Sequence, residues 1–210
     1  MRYAWRRLLR PLQTESGGRG DAFDGGRDAG SPMRLDEMRD VPVVVVLGER
    51  GAGKSVALEQ EHGLLRDQGA EAALWLHLGR DVADTVSAGS TLQQHLHGQV
   101  DGPRYVLLDG LDEGLSDIPV LDRVLLLQLR SLSEPQRVKL RLRITCRTTR
   151  WPEALESGLR GLWTDAGQVA LMTLEPLTGH DVESEARQRG LDGAAFAEEV
   201  SGRGLAGPSH

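Results

Sequence analysis

The most regular feature of the chain is a series of short apolar runs separated by longer, polar-punctuated stretches. Residues 41–48, VPVVVVLG, form an unbroken β-branched run. Such a run, too short for a helix of ordinary length and apolar at every position, predicts a strand buried on both faces, as in a parallel sheet. The same reasoning predicts strands at 72–79 (AALWLHLG), 104–109 (RYVLLD), 141–146 (RLRITC) and 168–174 (QVALMTL). Between them the apolar spacing becomes helical. It does so from about Ser55 to Asp67 with a stop near Gly69, over 91–99, and over the strongly apolar Pro119 to Leu132. Strands alternating with helices predict an α/β fold with a mostly parallel sheet.

The ends of the chain differ in texture. Residues 16–31, SGGRGDAFDGGRDAGS, hold almost nothing to bury and read as an irregular loop; Pro32 to Asp40 reads as a short helical approach. After Leu174 there are helical patterns and no strand, with Thr178 as a candidate helix cap. Three regions are therefore expected: an N-terminal arm with a Gly/Asp-rich loop (1–40), an α/β core (41–175) and a partial helical lid (176–210).

Composition narrows the class. With 210 residues the chain suffices for one sizeable core plus a small appendage. A formal net charge of -6 gives no sign of a nucleic-acid-binding surface. No stretch approaches the ~18 apolar residues of a membrane span, and the Arg-rich opening MRYAWRRLLR lacks the apolar run of a signal peptide. The single cysteine, Cys146, excludes an internal disulfide, so a cytoplasmic location is expected. Of 25 Lys and Arg residues only Lys54 and Lys139 are lysine. A compact ammonium and a planar guanidinium are not equivalent, which draws attention to both positions.

Lys54 lies in GERGAGKS, residues 48–55, which fits G-x-x-x-x-G-K-[ST] directly after a predicted strand and before a predicted helix. Gly48, Gly51 and Gly53 allow a tight turn and close approach to an anion. The backbone of Gly48, Glu49, Arg50, Gly51, Ala52 and Gly53, with the helix N-terminus, then turns its N–H groups towards phosphate oxygens. Lys54 supplies charge for the β- and γ-phosphates, and Ser55 a hydroxyl for Mg²⁺. A Gly-rich turn with a solvated lysine is the plainer alternative, and the strand–loop–helix context argues against it.

A second site element is the acidic run in YVLLDGLDEG, residues 105–114. Asp109 ends a strand, where ligands bind in open parallel sheets, and is the candidate anchor for Mg²⁺ or its water. Asp112 and Glu113 follow one turn on. Glu113 is the candidate base that orients or deprotonates the attacking water, with Asp112 as metal support and next candidate for the base. In ITCRTTR, residues 144–150, Arg147 is the candidate sensor of the γ-phosphate, with Thr145 or Thr148 next. A solvated acidic loop and a solvated strand-end arginine are the plainer alternatives.

Together these strings resemble the NACHT-type NTPases of the STAND class. LLDGLDE is similar to their acidic motif, VVVVLGERGAGKS to their phosphate loop, RITCRTTRW to their sensor strand and LEPLTGHDVESEARQRGL to the approach to their helical lid. GLAGPSH resembles the lid's G-x-P-type motif, whose proline contacts adenine; here that would be Pro208. RYAWRRLLRP resembles the opening of bacterial members, among them predicted antiphage-defence ATPases. The resemblance implies a P-loop NTPase fold with a five-stranded, mostly parallel sheet in the order 5-1-4-3-2, numbering the predicted strands along the chain. It also implies ATP and Mg²⁺ as cofactors and slow ATP hydrolysis in a signalling switch.

Usual family members are longer, carrying a winged helix and a sensor array. The chain is therefore expected to be an isolated or truncated NTPase module that works with protein partners or separate C-terminal sensor domains, with oligomerisation on activation. A non-catalytic nucleotide-binding or interaction fragment is the alternative. An AAA+ loader is the weaker third reading, because D-G-L-D-E separates acids that such motors carry side by side.

Overall fold

A computed structural model describes residues 7–12, 31–69, 73–97 and 101–175, together with Arg187 and Asp192. Apart from Arg187 and Asp192, the expected lid, with Thr178 and Pro208, lies outside the described residues, as does most of the Gly/Asp-rich loop.

Among the described residues seven strands form one sheet: β1 (Leu8–Pro11), β2 (Met33–Arg34), β3 (Val43–Leu47), β4 (Ala73–His77), β5 (Arg104–Asp109), β6 (Leu140–Cys146) and β7 (Val169–Leu174). Their order is β2-β1-β7-β3-β6-β5-β4. The five strands expected from the apolar runs are β3 to β7. They are mutually parallel and keep the expected 5-1-4-3-2 order within the larger sheet. The strand count and the parallel character need correction. β1 pairs antiparallel with β7 and with β2, so the sheet is mixed and has seven strands. Both additional strands come from the arm, where LLRP and MR are too short to show any periodicity.

The helices are α1 (Lys54–Asp67), α2 (Thr85–His97), α3 (Leu111–Asp117), α4 (Leu121–Arg130), α5 (Glu134–Lys139) and α6 (Glu153–Leu162). Helix α2 begins at Thr85, well before the expected residue 91, because Asp84 caps it. The Asp84 Oδ1 accepts from the N–H groups of Val86 (2.8 Å) and Ser87 (2.9 Å), which also lower the pKa of its carboxyl. Helices α3, α5 and α6 were not expected.

Alternation along β3 explains its unbroken apolar run. Val43, Val45 and Leu47 enter one cluster with residues of α2, α3, α4 and α6. Val44 and Val46 enter a second with Leu58 and Leu65 of α1. Both sheet faces are covered, so every β3 position is apolar and buried.

One charged group sits inside this second layer. Arg143 on β6 is fully buried; it donates to the carbonyls of Val41 (2.9 Å) and Met38 (2.8 Å) through two different nitrogens. Burial pulls its pKa down to about 10. Nearby, Arg39 donates to the buried Glu61 of α1 (2.8 Å), fastening the segment before β3 to that helix.

Candidate nucleotide-binding site

Strand register brings the site together. Leu47 of β3 is level with Cys146 of β6 and Thr173 of β7, and His77 of β4 is level with Asp109 of β5. The loop after β3, the acid ending β5 and the arginine following β6 therefore emerge along one sheet edge, at the C-terminal ends of the parallel strands. In open α/β sheets this edge is where ligands bind.

The loop from Gly48 to Gly53 turns directly into α1. Gly51 has φ +79° and Gly53, the N-cap of α1, has φ +91°. Both lie in the left-handed region that favours glycine. The Lys54 Nζ donates to the carbonyls of Gly48 (2.8 Å) and Glu49 (2.9 Å), folding the side chain back over the loop. Partial burial lowers its pKa, and Asp112, Glu49 and Asp109 oppose that shift. Glu49 and Arg50 are exposed; Ala52 donates its N–H to the Glu49 carbonyl (3.2 Å), closing the turn.

Asp109 is fully buried and polar contacts converge on one of its oxygens. Oδ1 accepts from the Ser55 hydroxyl (3.1 Å) and the Thr145 hydroxyl (2.6 Å). Thr145 in turn accepts from the Gly110 N–H (2.9 Å). Among the described residues Oδ2 is buried without a hydrogen-bond partner. A buried carboxylate oxygen without a donor is costly. Here it lies beside a serine hydroxyl at a helix N-terminus, and that donor set fits a hard divalent cation or a water bound to one. Ser55 and Asp109, the two residues expected to hold Mg²⁺, are hydrogen-bonded to each other. Thr145, a secondary sensor candidate, is instead engaged in aligning Asp109.

Gly110, at φ +72°, lets the chain pass straight from β5 into α3. This accounts for the D-G-L-D-E spacing: the later acids ride on the first turn of a helix. They diverge there. Asp112 is buried, and both its oxygens are held by Arg147, by the backbone N–H (3.1 Å) and by Nε (2.5 Å). That pairing raises the pKa of Arg147. Glu113 is 61% exposed, and its Oε2 lies 3.6 Å from the Nε2 of His77. A Cβ on Gly79 would stand 2.8 Å from the Glu113 Cβ, so glycine there leaves the space that Glu113 occupies.

Sequence reasoning missed two residues here. His77 carries a signal in hindsight, as a polar residue closing the apolar run LWLH. Arg7 carries none. Its Nη1 stands 3.1 Å from where a Cβ on Gly53 would be. Cys146 is buried at the end of β6, with its thiol pushed up to about 12 by desolvation.

No protein-family model matches the chain, and no curated protein does. Solved structures similar to it include Cdc6p from Pyrobaculum aerophilum, at 15% identity and TM-score 0.45, covering 74% of this chain and 46% of that one. A Walker-type ATPase of Pyrococcus abyssi has 13% identity and TM-score 0.45, with 79% and 59% covered. The Aeropyrum pernix ORC2 protein, solved as ADPNP–ADP complexes, has 12% identity and TM-score 0.42, with 79% and 58% covered. The chain thus spans about half the length of these proteins. At such identities and scores, assignment of the site rests on its own geometry: the glycine loop between β3 and α1, and the buried acid two strands away. The fold is an α/β fold with a mixed sheet covered by helices on both faces. No helix among the described residues is long and apolar enough to cross a membrane.

Proposed function

We propose that the chain is the ATP- and Mg²⁺-binding module of a STAND/NACHT-type signalling switch that hydrolyses ATP slowly, of the kind used in bacterial antiphage defence. The observation that carries nucleotide binding is the unpartnered buried Oδ2 of Asp109 beside Ser55, at the mouth of the glycine loop. In this reading the loop N–H groups and Lys54 take the phosphates, and Ser55 and Asp109 hold Mg²⁺. The ion would neutralise charge on the β- and γ-phosphates. Asp112 positions Arg147 through the ion pair, and Arg147 faces the γ-phosphate. Glu113, exposed towards the same edge, is the base. Pro208 would meet the adenine, and partner domains or chains would read the bound state. The switch class is supported by the D-G-L-D-E spacing, which the left-handed turn at Gly110 converts into one buried and one exposed acid.

Lys54→Ala tests the reading. It removes the charge over the loop and is expected to weaken Mg²⁺–ATP binding by about tenfold or more, on the ~1.5–3 kcal/mol scale of hydrogen bonds to charged groups. Calorimetric titration giving the same affinity for wild type and variant would reject the phosphate-loop assignment.

A further inference from the structure

We propose that His77 is a positioning residue for hydrolysis: its Nε2 steadies one carboxylate oxygen of Glu113 and leaves the other to the attacking water. The proposal deepens the reading above, because it rests on Glu113 being the base.

His77 closes β4, level with Asp109 at the end of β5. Its backbone is fixed there. The His77 N–H donates to the Asp81 Oδ2 (2.8 Å), and the His77 carbonyl accepts from the Asp81 N–H (2.8 Å). The next residue, Leu78, donates its N–H to the Asp109 carbonyl (2.8 Å). Glu113, by contrast, stands on the first turn of α3, and 61% of its side chain is exposed. An exposed side chain samples several rotamers, and each unproductive one lowers the fraction of time that a base faces its water. The His77 ring, carried by the sheet, narrows this choice. Its Nε2 lies 3.6 Å from the Glu113 Oε2. That is longer than a hydrogen bond, and catalytic contacts of this length commonly tighten when substrate is bound.

Two glycines make room for the pair. A Cβ on Gly79 would stand 2.8 Å from the Glu113 Cβ and 3.6 Å from the His77 Cε1. One on Gly110 would stand 3.5 Å from both the Glu113 Oε2 and the His77 Cε1. The surroundings also fix the tautomer. Among the described residues the His77 Nδ1 is buried without a hydrogen-bond partner. A proton on Nδ1 would bury a donor with no acceptor and turn the bare lone pair of Nε2 towards a carboxylate. A proton on Nε2 avoids both and gives Glu113 a donor. Arg147, which also feels the Glu113 charge, is already paired with Asp112.

His77→Ala should slow single-turnover ATP hydrolysis by about 10–100-fold and leave ATP affinity unchanged. His77→Gln should recover most of that rate, because its amide places a donor where Nε2 stands. His77→Phe keeps a ring without a donor and should be as slow as His77→Ala. In a Glu113→Gln background His77→Ala should cost nothing further, since no base is left to orient. Hydrolysis and calorimetric ATP binding are measured on the full chain, after far-UV circular dichroism shows that each variant is folded. Wild-type turnover in His77→Phe overturns the proposal alone. So does a loss that glutamine fails to restore, a matching loss of ATP affinity, or a loss that persists undiminished in the Glu113→Gln background. A wild-type chain that binds ATP without hydrolysing it overturns the catalytic reading and this proposal together.

Discussion

Glu113→Gln is expected to hydrolyse ATP about 10²–10⁴ times more slowly than the wild type while binding it with nearly unchanged affinity. The substitution keeps the side chain's shape and removes its ability to take a proton. Of the three acids in the run, only Glu113 is largely exposed on the open edge; Asp109 is aligned by Ser55 and Thr145, and Asp112 is closed off by Arg147. Among the described residues its ion-pairing contact is the 3.6 Å approach to His77, which leaves the carboxylate able to turn towards a water. Asp109→Asn should behave differently, losing Mg²⁺ dependence and turnover together, because it changes the group that would hold the metal. Single-turnover hydrolysis with parallel binding measurements separates the two. Wild-type turnover in Glu113→Gln would move the base elsewhere, with Asp112 next. A wild type that binds ATP and never hydrolyses it would favour the non-catalytic binding module.

The largest stability effect is expected at Arg39. Glu61 is 2% exposed, and Arg39 holds both of its oxygens, at 2.8 and 3.3 Å. Arg39→Ala leaves a buried carboxylate without its main partner, a change that costs about 3–5 kcal/mol. Arg143 lies near enough to act on Glu61 electrostatically, but its hydrogen bonds go to backbone carbonyls. Urea unfolding should therefore show a lower midpoint with an unchanged slope. The double variant Arg39→Ala, Glu61→Met should regain much of the loss, since an apolar pair in a buried site is often as stable as the ion pair. If the single variant unfolds at the wild-type midpoint, water reaches Glu61 and the pair is not a fastening.

What could be read in the sequence was what contiguous residues encode. The apolar run Val43–Leu47, glycines at 51 and 53, Lys54 and Ser55 make a strand, a left-handed turn and a helix start whose chemistry is local. The acid at the end of β5 was legible for the same reason: an apolar run that stops at a carboxylate marks a strand end. The sequence by itself thus determined the five parallel strands, the glycine loop before α1 and the acid that ends β5. It gave Glu113 and Asp112 different roles but did not show that Asp112 is buried against Arg147 and Glu113 exposed, because adjacent acids look alike until a helix starting at Gly110 turns one inward and the other outward. Nor did it reveal β1 and β2. Strands this short have no period, and their pairing is decided by the edges they cover, β1 that of β7 and β2 that of β1. Arg7 and the Glu175 carbonyl are 168 positions apart in the chain. Only the assembled sheet brings them together beside Gly53, because a contact between distant segments depends on where the whole fold places their backbones.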